Sequence, residues 1–566
     1  MELSILVSLE ASASGAEAAL ASVSPSQQKN EDYEVIVIEP SIDALAAAVE
    51  RSNAALIGIL DGPCVVTPRV VEHALLAARL ADQPLIVVPA YTGASAADDV
   101  YDRLDGASFS AQNPKGYLVR LVEARCFFAR RDTVLQVLRE QRGALQTCDD
   151  LFGALTKLPE ARLIVLGGEG CIEPDLPRAV TADRDLRGRA GRQPRLFGVV
   201  PGQLTESLRV SIAHAAMHEA LARKHGHLEW RLDPAGPLSS AATHDPAPLR
   251  LSIVVVVYRI PSQAENTIFS LSTRYQWNVT EDEYEIIVVE NRSPEMLGEE
   301  RARQFGNNVR YFARDEPGVS PAPALNFGVA HARGAMVGLM VDGARLVTPR
   351  VVEQALLAAR VHPRPLVIVP GFHLGPGLQH LTSSEGYDNA EEERLLASID
   401  WKRTGYGLFE ISVPDEASKN GFLTPLLECT CLFCDKPSFD SIGGMDERFD
   451  LPGGGEVNHD LFDRLCRLQG TKYFVLWGEG SFHQFHGGVS TSSPEDREAK
   501  LETFRRQYDA IRGHRFATFE REPTLLGTCA GRGHEVLMEA VALGRVRFGM
   551  KRAAGEAEWP NEGTRR

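Results

Sequence analysis

The sequence predicts an α/β protein: two tandem domains with mainly parallel sheets, closed by a helical carboxyl-terminal tail. The stretch LDGPCVVTPRVVEHALLAAR at 60–79 returns as VDGARLVTPRVVEQALLAAR at 341–360. Setting Asp61 against Asp342 matches 61–90 to 342–371 without a gap, at roughly two positions in three. Such a spacing is far too long for a solenoid and marks two whole domains of similar architecture. Short β-branched runs such as Ile253 to Val257 and Ile286 to Val289 lack polar alternation, as strands buried on both faces do. Helical stretches alternate with them, which is the pattern of a parallel sheet.

The elements recur in one order. LSILVSLEAS parallels LSIVVVVYRI, and DYEVIVIEP parallels EYEIIVVEN, setting Glu39 against Glu290. After the Asp-Gly strand end and its helix, EARCFFAR parallels ECTCLFCD, and DLFGALTKLPEARLIVLGGEG at 150–170 parallels DLFDRLCRLQGTKYFVLWGEG at 460–480. The first domain is therefore expected over 1–200. A helix from Leu204 to Lys224 and the linker RLDPAGPLSSAATHDPAPLR, rich in Pro, Ala and Ser, fill 201–249. The second domain is expected over 250–495. A helical extension over 496–566 follows, starting near SPEDREAKLETFRRQYDAIRG.

Composition removes several function classes. With 566 residues, 44% hydrophobic and 24% charged, the chain is ordinary globular material with room for several cores. A formal charge of −16 argues against a broad nucleic-acid surface, which needs clustered Lys and Arg to replace phosphate counterions. Glu2 and Glu10 stand where a secretory signal would be basic, and no apolar run approaches the roughly 18 residues of a membrane span. Nine scattered cysteines fit a reducing cytoplasm. Cys429, Cys431 and Cys434 are close together, but zinc would need a fourth ligand and a second knuckle, so they read as small apolar residues of a buried strand. No G-x-G-x-x-G follows either first strand, which removes a nicotinamide-dependent dehydrogenase.

In open α/β sheets ligands bind beyond the carboxyl ends of the strands. Asp342 follows the strand AMVGLMV at such an end. A carboxylate there can hold a divalent cation such as Mg²⁺, which accepts one or two protein carboxylates plus substrate phosphates. Asp342-Gly343 suits a plain turn equally well, with Asp bonding its own backbone. Near the end of the domain, DLPGGGEVNHDLFDRL offers carboxylates that can take a proton from a hydroxyl: Glu456 first and Asp460 second, unless Asp460 only caps its helix. Trp401, Tyr406 and Phe409 can stack on the flat face of a ligand or pack in a core.

The segments LSIVVVVYR, YEIIVVENRSPE, PGVSPAPALNFGVAHARGAMVGLMVDGAR, SIGGMDERFD, DLFDRL and GSFHQFHGG stand in this order across residues 250–490. Together they resemble the GT-A fold of inverting glycosyltransferase family 2, the nucleotide-sugar-dependent enzymes with a Rossmann-like, nucleotide-diphospho-sugar transferase architecture. The resemblance implies a nucleoside diphosphate sugar donor, a saccharide or other hydroxyl acceptor, and a divalent cation, Mn²⁺ or Mg²⁺. It implies donor binding by Glu290, Asn326 and Asp342, with Asp342 matching the first Asp of the family's metal motif. His483 and His486 match a late His near metal and diphosphate. Two departures stand out. Ala344 replaces the second Asp of the motif, and Asn458 falls where the usual base Asp would stand. The Asp-Gly-Ala-Arg form resembles a bacterial subgroup of the family, in which Arg345 could supply charge near the donor.

The first half keeps Asp61 and Glu39 but has Glu173 at the position of His483. Pro63 and Cys64 stand for Ala344 and Arg345, and there is no Gly-rich turn. The expectation is a GT-A-like copy retained for packing, acceptor placement or partner binding. Two functions are carried forward: sugar transfer with inversion in the second domain, or a catalytically silent GT-A-like protein that binds a nucleotide sugar or a partner enzyme.

Overall fold

The computed structural model describes residues 2–10, 15–28, 30, 32–92, 108–109, 120–121, 124–167, 169–172, 184–185, 195–199, 250–403, 405–418, 423, 430–486, 494–517, 519–527 and 533–559. The expected helix at 204–224, the linker up to residue 249, and Glu173 and Cys429 lie outside these residues. The chain divides into two units, Met1–Leu228 with Thr524–Cys529, and Glu229–Pro523 with Ala530–Arg566.

In the first unit, β1 (Leu3–Ser8), β2 (Tyr33–Ile38), β3 (Leu56–Asp61), β4 (Pro84–Val88), β5 (Cys126–Arg130), β6 (Arg162–Leu166) and β7 (Arg195–Gly198) form a sheet in the order β7-β6-β4-β5-β3-β1-β2. All pairs are parallel except those of β5, which runs antiparallel to both β3 and β4. The late segment Thr524–Gly527 pairs antiparallel with β7. The expected helical extension over 496–566 thus contains a strand: TLLG is short and wholly buried, and it pairs where a sheet edge is available to it.

In the second unit, β8 (Leu251–Val257), β9 (Tyr284–Asn291), β10 (Val309–Arg314), β11 (Met336–Met340), β13 (Pro365–Ile368), β16 (Cys431–Asp435) and β17 (Lys472–Trp477) take the order β10-β9-β8-β11-β16-β13-β17. Here β16 is the antiparallel member. The order β2-β1-β3-β5-β4-β6 of the first sheet thus returns as β9-β8-β11-β16-β13-β17. Both antiparallel strands come from the paired segments CFFAR and CLFCD. A glycine faces each of them: a Cβ on Gly58 would lie 2.6 Å from Phe128, and one on Gly338 would lie 2.6 Å from Phe433. Cys431 and Cys434 are free, buried thiols an odd number of residues apart on β16, so they point to opposite faces and do not form one ligand set.

A second, small sheet joins β12 (Arg345–Val347), β18 (Ser481–His483), β14 (Gly371–Leu374) and β15 (Ser412–Pro414) in that order. Helices α1 (Pro261–Leu271), α2 (Ala322–Ala330), α3 (Val351–Val361), α4 (Asn389–Ser398), α5 (Val457–Arg467) and α6 (Pro494–Arg512) complete the surroundings of the site. Trp401, Tyr406 and Phe409 belong to a core with Tyr275, Phe372 and Phe482, so the core alternative holds for all three. Trp401 meets Tyr275 edge-on at 5.7 Å, and Phe409 meets Phe372 at 5.2 Å. Among the described residues no helix is long and apolar enough to cross a membrane.

Candidate functional site

The site begins where β11 ends. Gly343 lets the chain pass close to β8, because a Cβ there would lie 2.7 Å from the Val256 carbonyl oxygen. Asp342 then does two things at once. Its Oδ1 accepts from the Ala344 backbone N–H at 3.2 Å, closing the turn. Its Oδ2 faces Arg345 Nε at 3.4 Å and His483 Nε2 at 3.9 Å. The antiparallel pairing of β12 with β18 sets Arg345 opposite His483, so the ladder itself brings the two chain segments together.

His486 completes the cluster, with its Nε2 3.1 Å from that of His483. One ligand atom each from Asp342, His483 and His486 lies within 4.8 Å of the other two, and among the described residues this is the one group able to hold a metal ion. Gln379 fixes the His483 ring. Its Oε1 lies 2.7 Å from His483 Nδ1, and its Nε2 donates to the His483 carbonyl at 3.0 Å. With Nδ1–H turned to that oxygen, the lone pair of Nε2 faces the cluster. Burial, then the neighbouring His486 and Arg345, hold His483 well below the usual imidazole range. Burial also lowers His486, against the pull of Asp342. Neutral imidazoles are what a metal needs.

Surrounding groups fix the loop between the two histidines. Glu392 on α4 accepts from the Phe485 backbone N–H at 2.8 Å, and Tyr387 donates to it at 3.1 Å. Burial lifts this carboxyl to about 7 against those hydrogen bonds. His373 and Gln379 are the two ends of the run HLGPGLQ, which assigns neither a role, and Glu392 carries no motif.

The cluster opens into a cavity of about 1260 Å³, large enough for a drug-sized ligand. Its wall includes Asp342, Arg345, His483 and His486, together with Gly453, Glu456, Asn458 and His459 from the segment that leads into α5. Gly453, Gly454 and Gly455 all have positive φ, at 73°, 81° and 54°. Three such residues in a row require glycine, and they turn Glu456 toward the cavity. Glu456 is bonded to Nδ1 of His459. Burial raises the Glu456 carboxyl, but the hydrogen bond and charge of His459 outweigh it, so the net direction is downward.

Other candidates have different surroundings. Asp460 does not cap its helix: the cap position is Glu456, and Asp460 lies in the first turn, almost fully buried. It accepts from Arg464 Nε at 2.8 Å and from Arg512 Nη2 at 2.7 Å. A carboxylate held by two guanidiniums is committed as an ion pair, and it is not part of the cavity wall. Glu290 is buried and accepts from Leu297 N at 2.7 Å, Gly298 N at 3.0 Å and Tyr311 Oη at 2.7 Å. It organises its own loop, while its neighbour Asn291 reaches the wall. Asn326 exchanges hydrogen bonds with the Met445 backbone at 2.9 and 3.0 Å and donates to Glu447, tying α2 to the GGMDERFD loop. Ala344 is fully buried and Arg345 faces the cavity.

The first unit has a different set. Asp61 is buried 3.8 Å from Arg125, and burial raises its carboxyl against that charge. Val65–Val66 pairs with Cys171–Ile172, repeating the β12–β18 ladder with apolar residues. Glu39 is exposed where Glu290 is buried.

Residues 252–421 match the family model of glycosyl transferase family 2. The match stops short of Glu456, Asp460, His483 and His486. Among solved structures, TarS from S. aureus is similar at 12% identity and a TM-score of 0.30, over 47% of this chain and 40% of that one. This chain therefore spans well under half of the full TarS chain. A TarS fragment, residues 1-349 in complex with UDP-GlcNAc, is similar at 14% identity and a TM-score of 0.31, over 54% of this chain and 75% of that one. The mannosyltransferase PcManGT from Pyrobaculum calidifontis, in complex with GDP-Man and Mn²⁺, is similar at 13% and 0.28, over 62% and 88%. No curated protein matches the sequence.

Proposed function

We propose that the second unit transfers a sugar from a nucleoside diphosphate sugar to an acceptor hydroxyl with inversion, and that the transferase domain spans 250–495. The observation that carries this is the Asp342–His483–His486 cluster at the end of β11, facing one cavity with the α5 start, in a unit with a family 2 match.

One carboxylate oxygen and two neutral imidazole nitrogens fit a divalent transition-metal ion such as Mn²⁺ better than Mg²⁺, which prefers all-oxygen shells. Asp342, His483 and His486 would hold it, and it would supply charge stabilisation for the departing nucleoside diphosphate. Arg345 offers a fixed positive charge on the same wall, where the family pattern has a second carboxylate. We assign the deprotonating group to the Gly453–His459 segment, which lines the same cavity. The first unit, with Asp61 turned to Arg125, serves as a non-catalytic GT-A-like support over about the first 200 residues.

A silent, binding-only protein is the second reading. Asn458 at the expected base position and the sequestered Asp460 favour it. Incubating the full chain with UDP-GlcNAc, GDP-mannose and other nucleoside diphosphate sugars, with and without Mn²⁺ or Mg²⁺, and following nucleotide release separates the two. Transfer predicts metal-dependent release. Binding without release supports the silent reading, and no binding of any donor ends both.

A further inference from the structure

We propose that His459 is the catalytic base that deprotonates the acceptor, and that Glu456 is the positioning residue that orients it. This deepens the transferase reading above and rests on it.

Glu456 and His459 lie three residues apart at the start of α5, and the carboxylate meets the ring at Nδ1. A neutral ring that donates Nδ1–H to a carboxylate carries its lone pair on Nε2, and the carboxylate stabilises the imidazolium that forms when Nε2 takes a proton. The ring plane is set as well: Phe516 stacks on it at 5.1 Å with an interplanar angle of 25°. Both residues line the same cavity as Asp342 and His483.

The neighbours are poorer candidates. Glu456 is bonded to His459 and held below its ordinary range, which weakens it as a base. Asn458 has no titratable group. Asp460 is bound by Arg464 and Arg512. That leaves an imidazole oriented by a carboxylate, the usual arrangement for proton removal near neutral pH.

In the step, Nε2 of His459 takes the acceptor O–H proton while the oxygen bonds to the anomeric carbon. The bond from that carbon to the phosphate oxygen breaks, and its electron pair leaves with the nucleoside diphosphate. The imidazolium then returns its proton to solvent. Water can stand in for the acceptor, so nucleotide release from donor hydrolysis reports the step without knowledge of the natural acceptor.

The test uses the full chain with Mn²⁺ and the same donor panel, comparing wild type with H459A, H459Q and E456Q, each checked for an unchanged melting midpoint. Both His459 variants should lose nucleotide release by about 100-fold or more while keeping donor affinity. Added imidazole should restore part of the H459A rate, which a purely structural role would not allow. E456Q should lose less than either. Three results would each overturn the proposal: release within about threefold of wild type in either His459 variant, no rescue of H459A by imidazole, or a larger loss in E456Q than in H459A. If wild type releases nucleotide from no donor, the transferase reading itself has failed.

Discussion

Thr348 donates its hydroxyl to the buried carboxylate of Glu479 at 2.5 Å, and in the first unit Thr67 donates to Glu169 in the same way. The glutamines extend the parallel. Gln276 and Gln28 each donate to the carbonyl of that threonine at 3.0 Å, and accept from Val352 N at 3.0 Å and Val71 N at 3.1 Å. The best-repeated stretch of the sequence builds a buried polar brace, and a brace keeps its residues whether or not the unit does chemistry.

Titration of that brace has a definite sign. Burial pushes the Glu479 carboxyl up from 4.5 to about 7, against hydrogen bonds from Thr348 and Tyr406 and the charge of Arg350. A carboxyl raised on folding binds more protons folded than unfolded, so its contribution to stability falls as pH rises through that window and is flat above it. Buried, neutral His373 and His483 act in the opposite sense, because their folded values lie below 6.5. The comparison with Glu479→Gln isolates the carboxyl. Melting midpoints from about pH 5 to about pH 8 should show the Gln variant gaining on wild type as pH rises, then holding level. A gap independent of pH would refute the assignment.

Gln379 should matter to the cation and little to the fold. It fixes both the tautomer and the backbone of His483. Gln379→Ala is expected to weaken Mn²⁺ binding by about 10–100-fold, read by calorimetric titration of the metal alone. Unchanged Mn²⁺ affinity would mean that the ring is held by its packing.

Asp460 should behave as a structural residue. Removing it leaves Arg464 and Arg512 without their shared carboxylate in a partly buried setting. Asp460→Ala is expected to cost about 3 kcal/mol in urea unfolding. The folded fraction should keep its donor affinity. A variant of full stability but no turnover would return Asp460 to the catalytic list.

The sequence makes some of this legible and conceals the rest for physical reasons. Buried β-branched runs and the repeat announce the strands and their order. Asp342, His483 and His486 are visible because a strand end and a Gly-flanked His pair are local patterns. Their partners Gln379, Glu392 and His373 are harder to single out, since each reaches the cluster from a different element: His373 from β14, Gln379 from the short helix Gln379–Thr382, and Glu392 from α4. Glu290 and Asn326 show the opposite case: the residues stand in recognisable patterns, yet backbone N–H groups and neighbouring loops take up their polar atoms. The Glu456–His459 pair was half visible, as a carboxylate without its ring. The strand Thr524–Gly527 is hidden because a four-residue run with only two leucines at its centre is too short to carry a period.

The most direct measurement compares Asp342→Ala with Asp61→Ala in Mn²⁺-dependent nucleotide release from the donor panel. The account predicts that Asp342→Ala loses at least about 100-fold, because the carboxylate of the candidate cation site is gone, while Asp61→Ala stays within about threefold of wild type. Loss of release in Asp61→Ala with full activity in Asp342→Ala would contradict it.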